Sequence, residues 1–179
     1  MSETTIALCG MMGSGKSAIG RRLADMMGFS FTDSDALIAQ RAGMPVARIF
    51  ETQGEEAFRR MEREILAELL EKPGGVIGLG GGSLQHQELV ERMKKTALLC
   101  FIDTPLDVIS ERVQRNTKRP LLLDADGRLK PESEIRALLE SLYQKRLPLY
   151  ARAHLRYVPK PANSVQTSAR ELHDLIQKA

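Results

Sequence analysis

Residues 10–20 read GMMGSGKSAIG. Gly10, Gly15, Lys16 and Ser17 fit G-x-x-x-x-G-K-S/T, the pattern of a glycine-rich turn that cradles phosphates. The context suits that reading. The apolar run Thr5–Cys9 before it predicts a strand buried on both faces, and Lys16–Met27 after it a helix ended by Gly28. Glycines let successive backbone N–H groups turn inward as an anion nest, and the helix N-terminus adds its positive dipole. Lys16 is placed to reach β and γ phosphates, and the Ser17 hydroxyl to coordinate Mg²⁺. A turn that binds nothing would leave the Lys-Ser pair without a packing reason. The stretch identifies a phosphate donor and leaves the acceptor open.

At 179 residues the chain suits one domain, 1–179, with a substantial core. Trp is absent and aromatic residues are only 4%, so that core must be aliphatic and Met-rich. Cys9 and Cys100 both lie in apolar runs, as small core residues of a cytoplasmic protein rather than a disulfide or a metal site. No basic segment followed by an apolar one opens the chain, and no apolar run has membrane-spanning length, so neither a leader nor a membrane partner is expected. The net charge is +3, with Lys and Arg mixed among Asp and Glu, which argues against nucleic acid as a partner. No strong apolar patch stands out, and a monomer is the default.

Short apolar runs alternate with amphipathic ones, the pattern of a parallel α/β sheet covered on both faces: a three-layer α/β/α fold with five parallel strands. Strands are predicted at 5–9, 29–32, 76–79, 97–102 and 155–158. Helices are predicted at 16–27, 36–42, 46–51 (one short turn), 55–72, 85–94 and 132–151, the last bent or ended near Pro148. Phe58, Met61, Ile65 and Leu69 form one stripe of the long helix. Thr104-Pro105-Leu106-Asp107 reads as a helix entry with Thr104 as N-cap, and Ser168-Ala169-Arg170-Glu171 as a capping box for the last helix. Residues 116–130 are too long and polar for an ordinary connection and suggest a mobile lid, taken as 112–130.

Which acceptor the phosphoryl group meets is read elsewhere. Asp33-Ser34-Asp35 follows the second strand, where ligands sit in open α/β sheets. One aspartate can face Mg²⁺ and the other a second substrate, with Ser34 or Asp35 also suited to cap the following helix. Asp103 is another metal candidate, although helix entry suits it better. An Asn-Lys-x-Asp base-reading element and an H-R-D element are both missing, which excludes a regulatory GTPase and a protein kinase. Arg59 borders the buried face of the long helix and offers a planar fork to a carboxylate. Gly80, Gly81 and Gly82 close the third strand, where they suggest close approach of a ligand to backbone N–H groups that are free to donate. Arg112, Arg115, Lys118 and Arg119 form a basic cluster at the lid, suited to a transferring phosphoryl group.

Taken together, GMMGSGKSAIGRRLA, FTDSD, GEEAFRRME, LGGGS, NTKRPLL and KRLPLY resemble the shikimate kinases, a nucleoside-monophosphate-kinase-like P-loop family, in order and spacing over about residues 5–150. The resemblance implies ATP- and Mg²⁺-dependent phosphorylation of the 3-hydroxyl of shikimate. It also implies roles. Gly13, Ser14, Gly15, Lys16, Ser17 and Ala18 would wrap the phosphates, while Ser17 and Asp33 would serve Mg²⁺, Asp33 through water. Asp35 would hold the ring hydroxyls and accept a proton. Arg59 and Arg146 would clamp the carboxylate, Gly80, Gly81 and Gly82 would contact the substrate, and a helical segment over about 33–62 would be the substrate-binding part of the domain. Phe50 and Phe58 would line the pocket, Arg119 would close on the phosphates, and Arg112 would stack on adenine. Lys16, Asp35 and Arg119 form the catalytic set. The sequence departs from the family at Arg152, where an acidic residue is usual, and across 153–167, where Asn163 is the candidate adenine contact. A gluconate kinase and a non-catalytic nucleotide-binding regulator are the alternatives.

Overall fold

A computed structural model of the chain describes residues 4–115, 120–124 and 126–179. Five parallel strands form one sheet in the order β2-β3-β1-β4-β5. The strands are β1 (Thr5–Cys9), β2 (Phe31–Asp33), β3 (Val76–Gly78), β4 (Ala97–Ile102) and β5 (Leu155–Tyr157). The connecting helices are α1 (Lys16–Met27), α2 (Ser34–Ala42), α3 (Val46–Glu71), α4 (Gln87–Thr96), α5 (Leu106–Gln114), α6 (Glu132–Tyr150) and α7 (Val165–Ile176). Central β1 is paired on both edges, Ile6 lying opposite Val76 on one side and Leu98 on the other.

Because side chains alternate along a strand, β1 feeds two cores. Ala7 and Cys9 join Leu66, Val90, Met93, Ile109, Ile135 and Tyr150 under α3–α6. Ile6 and Leu8 join Ile19, Leu23, Ala169 and Leu172 under α1 and α7. The result is the expected three-layer arrangement. Cys9 and Cys100 fall in opposite cores, both unpaired, and burial pushes each thiol up to about 12. Met11 is buried in the first core, so the first methionine of the phosphate loop is an anchor. Among the described residues no helix is long and apolar enough to cross a membrane.

The structure corrects several local expectations. Strand β2 is Phe31–Asp33 rather than 29–32, and its last residue is itself the cap of α2: the N–H of Ala36 donates to Asp33 Oδ1 at 3.2 Å. Ser34 and Asp35 lie inside that helix. The two predicted segments 46–51 and 55–72 join as α3 across Gly54, whose φ of 81° and ψ of 171° break the helix at a conformation that glycine tolerates. A 3₁₀ turn, Ser83–Gln85, precedes α4. Helix α6 runs through Pro148 to Tyr150, since the proline falls in the last turn. Thr104 does not cap α5; its hydroxyl donates to the Ser14 carbonyl at 2.8 Å, tying the end of β4 to the phosphate loop. Ser164, not Ser168, caps α7, its Oγ accepting from the Thr167 N–H at 3.0 Å, while Ser168 is buried within the helix.

Of the segment 112–130, Arg112 lies in α5, Pro120–Leu122 forms a 3₁₀ turn, and Leu122 is buried in the first core. Leu123 and Leu129 pair antiparallel around a turn in which Asp124 Oδ1 accepts the N–H groups of Asp126 and Arg128 at 2.9 Å each. Lys118 and Arg119 lie outside the described residues.

Candidate functional site

A cleft of about 580 Å³ opens at the C-terminal ends of β1, β2 and β3. One wall is the phosphate loop, with Met12, Gly13, Gly15, Lys16, Ser17 and Ala18. Gly15 is the N-cap of α1 and takes φ 92°, a left-handed value that turns the chain into the helix. Lys16 Nζ donates to the carbonyls of Gly10 and Met11 at 2.8 and 2.9 Å, so the loop is folded around its own cation. Ser14 is buried beneath the loop, and its N–H donates to the Met11 carbonyl at 3.2 Å. The Ser17 hydroxyl donates to Asp33 Oδ2 at 2.6 Å. Asp33 therefore uses one oxygen to cap α2 and turns the other toward the loop.

Asp35 is the second residue of α2, in its first turn, on the cleft side. Its Oδ1 is buried without a hydrogen-bond partner. Burial first, then the negative charges of Asp33 and Glu62, raise its carboxyl from 3.8 to about 6. It is a carboxylate made more basic than usual, which suits proton transfer near neutral pH.

The glycine triplet explains how the opposite wall of the cleft is built. None of the three has a positive φ. A Cβ on Gly80 would lie 2.4 Å from Asp35 Oδ1, one on Gly81 2.7 Å from Arg146 Nη1, and one on Gly82 2.7 Å from Arg59 Nη1. The strand end is thus bare so that three side chains from three helices can converge on it. The expectation of free backbone N–H groups fails at Gly80, whose N–H donates to Ser34 Oγ at 2.9 Å. Gly80→Ala should lower kcat at least tenfold and also lower Tm, because the new methyl overpacks against a short, buried carboxylate with little room to yield. Steady-state kinetics and a melting curve check this.

Arg59 Nη1 donates to buried Glu62 at 2.8 Å, while its other side reaches exposed Glu55 at 3.2 Å. Its guanidinium lies 5.3 Å over the Phe58 ring, which in turn packs 4.6 Å from Phe50. Phe58 is buried and Phe50 exposed at the rim. Arg146, one turn before the end of α6, sits beside Tyr150, which is buried in the core and donates its hydroxyl to the Gly81 carbonyl at 3.1 Å. Burial pushes the Tyr150 phenol up to about 12, so it stays a donor.

A second cavity of about 250 Å³ shares Gly15, Ala18 and Arg112 with the cleft and continues to Pro159, Asn163 and Val165. Arg112 Nη1 lies 3.4 Å from the carbonyls of Gly13 and Ser14. Asn163 Nδ2 donates to Glu171 at 2.8 Å, which orients its amide at the cavity wall.

The described members of the predicted set thus gather around one continuous groove; Arg119 lies outside the described residues. Asp103 takes neither expected part: buried at the end of β4, it accepts from Tyr143 Oη at 3.1 Å and from Arg156 Nε at 2.8 Å. Arg152 pairs with Glu91 at 2.6 Å. Sequence reasoning missed Glu62, Ser83 and His86. Their signals were that Glu62 and Ser83 end two of the quoted motifs, GEEAFRRME and LGGGS, and that Glu62 falls on the buried side of α3, three residues after Arg59 and three before Ile65.

The family model for shikimate kinase matches residues 12–177. A shikimate kinase of Mannheimia succiniciproducens is 37% identical over 174 residues, 97% of this chain and 95% of the relative. Among solved structures, shikimate kinase from Bacteroides thetaiotaomicron superposes with a TM-score of 0.89 at 28% identity, covering 97% of this chain and 98% of that one. Shikimate kinase from Acinetobacter baumannii in complex with shikimate gives 0.86 at 31% identity, covering 98% and 93%.

Proposed function

The chain belongs to the shikimate kinase family, and from that premise we infer that it transfers the γ-phosphoryl group of ATP to the 3-hydroxyl of shikimate, giving shikimate 3-phosphate and ADP. The observation that carries the reading is the convergence of Asp35, Arg146 and Arg59 on three bare glycines, in the same cleft as the phosphate loop. Shikimate is a small anionic polyol. It needs cations for its carboxylate and a basic oxygen for its hydroxyls, and both lie within reach of a nucleotide's phosphates.

We assign the residues as follows. Gly13, Ser14, Gly15, Lys16, Ser17 and Ala18 hold the phosphates through backbone N–H groups and the lysine ammonium. Arg59 and Arg146 take the carboxylate, with Glu62 bracing Arg59 and the Tyr150 hydroxyl accepting from Arg146. Gly80, Gly81 and Gly82 lie against the ring, and Phe50 and Phe58 form its apolar wall. Asp35 accepts the proton of the attacking hydroxyl as that oxygen bonds to phosphorus and ADP leaves. Arg112 and Asn163 border the adenine cavity, and Arg119 is the lid arginine for the transferring group. Ser17 and Asp33 present two hard oxygens 2.6 Å apart beside the phosphate loop, a donor set that fits Mg²⁺, whose shell is otherwise completed by phosphate oxygens and water. When bound, the ion neutralises charge on the β and γ phosphates.

The test is ADP release from ATP and Mg²⁺. It should depend on shikimate and stay at background with gluconate. Equal release with gluconate, or none with shikimate, would overturn the reading. The gluconate-kinase and non-catalytic alternatives are not favoured, because the family model and the relatives above 30% identity are shikimate kinases, whereas the likeness to a gluconokinase, at 18% identity, is one of fold alone.

A further inference from the structure

Glu62 is the most deeply buried carboxylate near the cleft, its side chain 1% exposed. A buried carboxylate is costly unless its oxygens are hydrogen-bonded. Here three donors meet it. Ser83 Oγ donates to Oε1 at 2.6 Å, and Arg59 Nη1 and His86 Nε2 share Oε2 at 2.8 and 3.1 Å. A carboxylate can only accept, so Nε2 is the protonated nitrogen of the His86 ring. Ser83 and His86 both belong to the turn between the glycine triplet and α4, whereas Glu62 and Arg59 belong to α3. That turn therefore reaches back and pins the carboxylate that orients Arg59.

The pinning matters because Arg59 has a competing partner. Its Nε and Nη2 face Glu55, whose side chain is 66% exposed and draws the guanidinium outward. Glu62 holds it inward against Gly82. Whatever lets Glu62 move leaves Arg59 to follow Glu55.

We propose that His86 is a positioning residue for the acceptor's carboxylate, acting through Glu62 on Arg59. The proposal rests on the reading that Arg59 binds the shikimate carboxylate. His86 neither lines the cleft nor touches the phosphate loop; it forms part of the wall of an open groove of about 570 Å³ between α3 and α4. A substitution there can change the hydrogen bond without overpacking the core. His86 is also the N-cap of α4 and makes no side-chain capping bond, so its link to Glu62 is separable from any role in the helix.

Three variants separate the roles. His86→Leu removes the donor and should raise KM for shikimate about fivefold, the effect of one lost hydrogen bond, with kcat and KM for ATP unchanged. His86→Gln carries an N–H the same number of bonds from Cα as Nε2 and should bring KM back to within about twofold of the parent. His86→Asn falls one bond short of Glu62 but is a better N-cap. It should show the raised KM together with a Tm equal to or above that of the parent. A purely structural role would instead make KM follow Tm. The proposal is overturned if His86→Leu leaves KM for shikimate unchanged, if the Gln and Asn variants behave alike, or if KM for ATP moves with that for shikimate. Arg59→Ala, run in parallel, tells which idea has failed. If it leaves KM for shikimate unchanged, the clamp reading and this proposal both fall. If it raises KM while His86→Leu does not, only this proposal falls.

Discussion

Asp35→Asn is expected to lower kcat by about 10²–10⁴, the usual contribution of a positioned base, while ATP still binds and the protein melts at a higher temperature. The two effects share a cause. Burial and the charges of Asp33 and Glu62 raise the Asp35 carboxyl from 3.8 to about 6. In the native state it keeps a proton that the unfolded chain has released, so between pH ~4 and ~6 stability falls as pH rises, and the ionised group is a net cost above about 6. At ~1.4 kcal/mol per pH unit the shift is worth at most ~3 kcal/mol, and the neutral amide removes it. The gain in Tm should be several degrees at pH 8 and should vanish below about pH 4. Correspondingly, kcat/KM of the parent should fall about tenfold per unit as pH drops below about 6. A variant that is less stable at pH 8, or that retains transfer, would remove Asp35 from the role of base.

Arg59→Ala should raise KM for shikimate about 30- to 100-fold with KM for ATP nearly unchanged. A charge-assisted, forked contact to a carboxylate is worth ~2–3 kcal/mol when its partner is held in place. The same change takes a cation from Glu62, leaving that buried carboxylate with Ser83 and His86 alone, and should cost ~2 kcal/mol of stability. Arg59→Lys should recover part of the stability and little of the affinity, because an ammonium cannot reproduce the planar fork. Steady-state kinetics in each substrate and a denaturant titration check these expectations. Loss of ATP affinity instead would place Arg59 on the nucleotide.

What was legible in advance was what is local. The phosphate loop lies within one stretch, and Ile6–Cys9 is apolar throughout because it is buried on both faces. The spacing of Phe58 and Ile65 showed the inner face of α3, and both are buried. Asp35, Arg59 and Gly80–Gly82 were singled out from their own context, whereas Arg146, Phe50 and Phe58 entered the site only through the family resemblance that the order of motifs carried. What escaped was set by contacts distant in sequence. Thr104 has the composition of a cap, yet its hydroxyl finds a carbonyl 90 residues away. Asp33 outcompetes its neighbours as cap because the strand ends one residue later than its apolar pattern suggests. Glu62 and His86 each resemble ordinary polar helix residues. Only the packing of α4 against α3 makes them partners, 24 residues apart.

The glycine triplet has a consequence beyond geometry. Each bare position is matched to one side chain from a different helix: Gly80 to Asp35 of α2, Gly81 to Arg146 of α6, Gly82 to Arg59 of α3. Substitutions within such a pair share the same space, so their energies do not add. On the assignment proposed above, acceptor recognition is epistatic by construction. A redesign that alters one member alone meets either a clash or a void, and a new acceptor carboxylate or hydroxyl pattern is reached by changing glycine and partner together.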